Sequence, residues 1–220
     1  MTDDTTAANT LDYFYEIART TYNSRPLAYH NWEHVQNMLE GLMMIVHEGG
    51  LDLPLASPEG LAIVLAIAYH DAVYVPDAYP GYNESHSALL FRRDFKAGQE
   101  WNAFAPVNVD YVCELIEATK VANHIDPAYK PKSVCEAILL DLDLSSMAAG
   151  YRAFEANQIK LATEHSGRDP FDNEAARSNS AAFLVRFLSE DRASIYHTDW
   201  ARKLWEDKAR ANINKYVYGD

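Results

Sequence analysis

The stretch Gly60-Leu61-Ala62-Ile63-Val64-Leu65-Ala66-Ile67-Ala68-Tyr69-His70-Asp71 decides the class of this fold. Its first ten residues carry no charge and no polar stripe, the pattern of a helix buried almost all round. Ser57 and Pro58 fit the N-cap and first-turn positions of that helix. The run is far shorter than the ~20 residues that span a bilayer, so its apolarity belongs to a protein core and no membrane partner is expected. At its C-terminal end the helix delivers an adjacent imidazole and carboxylate. Burying both without partners is expensive, so the pair calls for a cation or for donors.

Apolar residues recur at helical intervals along the rest of the chain, and strand alternation with hairpin turns is missing. Helices are expected over Leu11 to Tyr22, Asn31 to His47, Pro58 to Asp71, Asn83 to Lys96, Val109 to Thr119, Ser133 to Leu140, Tyr151 to Thr163, Asn173 to Leu188 and Asp199 to Tyr216. The reading is an all-α, bundle-like single domain over residues 11–220, preceded by a flexible acidic segment, 1–10. A length of 220 residues with 48% hydrophobic content suits one substantial core. Glu48 to Leu55 and Ala122 to Lys132 read as helix connections. Ser133 and Glu136 form a capping-box pattern.

Composition narrows the function classes. A net charge of −13, with no clustered Lys and Arg, excludes a nucleic-acid polymer as partner. Cys113 and Cys135 lie on apolar-periodic stretches without CxxC spacing, so they read as small core residues rather than a disulfide or zinc knuckle. The opening ten residues hold neither a basic nor an apolar region, which gives the expectation of a cytoplasmic protein. Trp200, Leu204 and Trp205 suit core packing or a dimer contact, and a homo-oligomer stays open.

Two further pieces offer metal-ligand chemistry: Tyr29-His30-Asn31-Trp32-Glu33-His34 and Asp141-Leu142-Asp143. The i, i+4 spacing of His30 and His34 at the start of an apolar-periodic stretch predicts two imidazoles on one helix face. Asp141 and Asp143 emerge from the turn that follows Ile138, Leu139 and Leu140. Two neutral histidines with two aspartates suit a first-row divalent ion and leave coordination positions open, the arrangement of a site that does chemistry.

In order and spacing, His, His-Asp and Asp on successive helices resemble the HD-domain superfamily of metal-dependent phosphohydrolases. Tyr29-His30-Asn31-x-x-His34 is similar to a signature of cyclic nucleotide phosphodiesterases, in which the first histidine is the general acid and the second a metal ligand. Asp141-Leu142-Asp143 resembles an Asp-x-Asp element whose second aspartate is the ligand. The resemblance therefore implies His34, His70, Asp71 and Asp143 as ligands and His30 as proton donor. With Asn83-Glu84, Ala118-Thr119 and His124, the match extends to a bacterial HD phosphohydrolase group over residues 10 to 215. Where those phosphodiesterases continue with a further histidine, this chain reads Ala72-Val73-Tyr74-Val75-Pro76, so a cyclic nucleotide is not implied.

The expected activity is hydrolysis of a small, nucleotide-like phosphate ester by metal-activated water. Asp71 is a candidate to hold that water, and His30 to protonate the leaving oxygen. Arg25 and Lys120 are candidate phosphate grips, and Glu84 a candidate to orient a ligand or water. His86 and His124 are candidates for a second ion or for phosphate contact. Manganese, iron, magnesium, nickel, cobalt and zinc all fit the donors. Two other classes are kept: a di-iron oxygenase of the same fold, which would enlist His86 and His124, and a nucleotide-binding module without turnover.

Overall fold

The computed structural model describes residues 4–25, 27–48, 53–100, 104–164 and 173–219. It is all-α, with no strand among the described residues. The chain divides into two compact units, the first formed by Met1–Pro26 with Asn31–Val121 and the second by Leu27–His30 with Ala122–Asp220.

The first unit is built around the apolar stretch quoted above. Its helices are α1 (Asp4–Asn23), α2 (Trp32–His47), α3 (Pro58–Tyr69), α4 (Tyr82–Gln99) and α5 (Val109–Ala118). Helix α3 packs against the other four, and every residue from Gly60 to Tyr69 except Val64 is buried. Ser57 caps it by accepting a hydrogen bond from Gly60 N at 3.1 Å, with Pro58 in the first turn, as the sequence predicts. Gly60 is required there, because a Cβ would lie 2.3 Å from the Pro54 carbonyl oxygen. Phe14 of α1 stacks on Phe95 of α4 at 5.4 Å between ring centroids, a large apolar contribution on the flank of α3.

Helix α1 begins at Asp4, well before Leu11, so most of the segment expected to be a flexible N-terminus is ordered helix. Ala7 and Thr10 continue the buried face of Phe14, Ala18 and Tyr22. Thr10 can be buried because its hydroxyl donates to Thr6 O at 2.7 Å and accepts from Ala105 N at 2.9 Å.

The second unit contains α6 (Val121–Ile125, starting at its boundary), α7 (Val134–Asp143), α8 (Tyr151–Glu164), α9 (Asn173–Leu184) and α10 (Asp199–Tyr218). Phe154, Leu184, Phe187, Ile195, Tyr196 and Ile213 lie in its core, with Trp200 and Trp205 packed against them. Leu204 is more exposed. The helix expected from Asn173 to Leu188 tightens to a 3-10 turn over Val185–Leu188. The connection expected from Ala122 to Lys132 holds the short α6, whose His124 carbonyl accepts from the Arg192 guanidinium at 2.8 Å. Ser133 caps α7, and the Glu136 carboxylate accepts from Lys132 N and the Tyr129 hydroxyl. Cys113 and Cys135 are free and buried. No helix among the described residues is long and apolar enough to cross a membrane. The expected connection from Glu48 to Leu55 lies partly outside the described residues.

Candidate metal centre

In the first unit, His34, His70 and Asp71 each present one ligand atom, and these lie within 4.8 Å of one another. His34 is in the first turn of α2, where Asn31 as N-cap accepts from Glu33 N at 2.9 Å and His34 N at 3.3 Å. His70 is the C-cap of α3, so the apolar helix places its imidazole, still buried, at its C-terminal end. The rings of His34 and His70 are 5.3 Å apart, edge to face. All three residues are buried.

The protonation pattern makes this trio more than a coincidence of burial. His70 Nδ1 lies 2.9 Å from the Ile67 carbonyl oxygen, which can only accept, so Nδ1 carries the hydrogen. In the neutral ring Nε2 then holds a lone pair, and Asp71 Oδ2 lies 2.9 Å from it. Two acceptors face each other at hydrogen-bond distance. A second ring proton or a cation resolves that repulsion, and imidazole nitrogen with carboxylate oxygen is the donor set a divalent first-row ion takes.

The backbone carrying Asp71 is fixed from several sides. Its N–H donates to the Tyr22 hydroxyl at 3.2 Å, and its carbonyl accepts from Arg25 Nη2 at 3.1 Å. Arg25 Nη1 donates to Tyr74 O at 3.2 Å. Arg25, a candidate phosphate grip, thus spends two donors on main-chain carbonyls. Ser87 bonds both Val73 N and Val73 O, and Asn83 bonds both Val75 N and Val75 O. Asn83 therefore acts as a clamp on the chain beyond His70-Asp71.

Glu84 is 9% exposed in the first turn of α4. Burial raises its pKa and the charge of Asp71 adds to this, while backbone N–H groups and Lys120 oppose it. That places Glu84 in the electrostatic field of both Asp71 and Lys120. Lys120 itself is ion-paired with Glu117, and its side chain lies against Gly81, whose φ of +80° no L side chain adopts easily. His86 stacks on Tyr82 at 3.8 Å, with Nδ1 2.8 Å from the Tyr82 carbonyl. Neither His86 nor His124 belongs to a group of three or more ligand side chains in mutual reach among the described residues.

The second unit separates the two aspartates of Asp141-Leu142-Asp143. Asp141 is 1% exposed and accepts from His197 N at 2.7 Å, Thr198 N at 2.8 Å and Thr198 Oγ1 at 2.7 Å. Burial pushes its pKa up to about 6 against the pull of those donors. It ties α7 to the start of α10, where Thr198 is the N-cap. Asp143 is half-buried, and His124 Nε2 lies 2.9 Å from its Oδ2.

His30 departs from the helical spacing expected of it. Helix α2 starts at Trp32, so His30 precedes the N-cap Asn31 and shares no helix face with His34. Its partner is Glu164, the last residue of α8: His30 Nδ1 meets Oε2 at 2.5 Å, and the backbone N–H groups of Tyr29 and His30 donate to Oε1. Burial raises the Glu164 pKa, but the His30 ring and the two backbone donors outweigh it and leave the carboxyl below its ordinary value. A carboxylate that receives Nδ1–H fixes the ring tautomer and leaves Nε2 as the acceptor nitrogen of the neutral ring. No local pattern marked Glu164, which stands 134 residues from His30.

No family model, curated protein or solved structure matches the chain.

Proposed function

We propose that the protein is a metal-dependent phosphohydrolase of HD type, acting on a small phosphate ester. The observation that carries this reading is the mutual reach of His34, His70 and Asp71, with His70 Nε2 and Asp71 Oδ2 opposed as acceptors. His34, His70 and Asp71 would hold the divalent ion, and the sequence resemblance adds Asp143 to the ligand set. Bound there, the ion supplies Lewis acidity toward water and toward the phosphoryl oxygens.

The remaining work falls to the chain's own residues. His30, oriented by Glu164, delivers a proton to the leaving ester oxygen. Arg25 and Tyr22 hold the Asp71 backbone so that its carboxylate keeps one orientation. Glu84 adds negative charge beside Asp71 and orients water there.

Metal analysis of freshly purified protein, followed by a screen of phosphomonoesters, phosphodiesters and nucleoside triphosphates with the metal found, tests the proposal. A single divalent ion per chain and turnover of a phosphate ester are expected. Tight nucleotide binding with every ester left intact would identify a binding module. Two irons per chain with oxygen-dependent turnover would identify an oxygenase.

A further inference from the structure

We propose that Tyr79 determines substrate specificity, as a stacking platform for a flat aromatic ring carried by the phosphate ester. The inference rests on the reading of His34, His70 and Asp71 as the metal centre, and every residue it uses belongs to the first unit. Tyr79 follows Asp71 closely in the chain and is 67% exposed. Among the described residues its ring meets only Tyr82, at 5.1 Å between centroids and 80° between planes, so at least one ring face lies open. Tyr82 is itself stacked on His86 at 3.8 Å, which makes Tyr79 the end ring of a row of three.

The turn that carries this ring is held from several sides. The Arg25 guanidinium donates to Asp71 O and to Tyr74 O, so one side chain ties the ligand pair to the start of the turn. Ser87 and Asn83, one helical turn apart on α4, bond both backbone groups of Val73 and of Val75, as a neighbouring strand would. Within the turn, Ala78 N donates to Val75 O at 3.2 Å and Tyr82 N to Tyr79 O at 3.0 Å. Asp77 keeps a φ of +61°, a left-handed conformation that residues other than glycine hold where the surroundings over-determine it. So exposed a ring adds little to the core, yet its backbone is fixed on both sides. An aromatic ring already fixed in place loses little freedom when a flat partner settles on it, and any flat ring offers the π-face it needs.

The test is calorimetric titration of benzylphosphonate and cyclohexylmethylphosphonate into the full-length protein loaded with the metal it retains. Neither compound has an ester bond to hydrolyse, so binding is read without turnover. The two match in charge and carbon count, and only the benzyl ring is flat. Wild type binds benzylphosphonate about 5- to 10-fold more tightly than its partner compound. Tyr79→Phe keeps that ratio, and Tyr79→Leu brings it to about one. Both variants fold, checked by thermal unfolding, because so exposed a side chain carries little of the core.

A ratio near one in wild type, or an unchanged ratio in Tyr79→Leu, overturns the inference and leaves the hydrolysis proposed above intact. Binding of neither compound overturns it too. Tyr79-dependent binding of benzylphosphonate by a protein that leaves every ester intact upholds the stacking platform and removes the hydrolytic reading instead. A dimer in solution that Tyr79→Leu converts to a monomer makes the ring an interface between copies, and overturns the inference as well.

Discussion

Asp141 and Asp71 are both withdrawn from water, at 1% and 9% exposure, yet the protein treats them in opposite ways. Asp141 is surrounded by donors: two backbone N–H groups and a hydroxyl meet its two oxygens, and the charge of Arg202 adds to them. Asp71 has its main chain held by Tyr22 and Arg25, while its carboxylate oxygen faces the lone-pair nitrogen of His70. One carboxylate is a structural joint. The other faces a ring nitrogen 2.9 Å away, a conflict that a second ring proton or a cation would remove.

If the contrast is right, the two aspartates fail differently when mutated. His34→Ala, His70→Ala and Asp71→Ala should each abolish retention of the divalent ion and all turnover, measured by metal content after gel filtration. Their apoproteins should stay folded. A variant at His70 that keeps the ion would break the comparison at its centre.

His30→Ala should keep the ion and lose turnover by about 10²- to 10⁴-fold, as expected for a positioned general acid. Loss of metal in this variant would instead make His30 a ligand.

Asp141→Ala strands the buried donors of His197 and Thr198 and should destabilise the protein by about 2–3 kcal/mol in urea unfolding. The metal bound per folded molecule should not change. A stability loss in Asp71→Ala as large as that in Asp141→Ala would erase the distinction between joint and site.

Arg25→Met removes the two bonds to the carbonyls of Asp71 and Tyr74 and should cost about 1–2 kcal/mol. It should also weaken metal binding modestly, which calorimetric titration of the metal into the apoprotein reads.

Glu164 gives the smallest effect, visible as a pH dependence. Its folded pKa lies below the unfolded value, so it contributes stability above the ordinary glutamate pKa of 4.5. That contribution disappears as pH falls through the lowered folded value. The stability difference between wild type and Glu164→Gln should therefore shrink on acidification below pH ~4.5. A difference that grows on acidification would reverse the assignment of Glu164 as the charged partner of His30.

Much of this was legible in the sequence. The burial of α3, its Ser57 cap, the Ser133 cap of α7 and the core placement of both cysteines follow from patterns a few residues long. His70-Asp71 at the end of the apolar run was legible for the same reason. The His30–His34 spacing misled because Asn31 starts the helix between them, and a side-chain cap outweighs a periodicity that only four residues define. The ordered segment from Asp4 was missed because Thr10 belongs to the buried face only through its bond to Ala105 N.

What the sequence determined by itself is the local part: helices, caps and the residue types able to bind a cation. Period and capping act over one or two turns, within reach of a pattern. What only the tertiary structure decided is which charges are answered and by whom. Asp141 meets donors 56 and 57 residues away, and His30 meets a carboxylate 134 residues away. The partner that satisfies a buried polar group is chosen by packing in space, where separation along the chain carries no information.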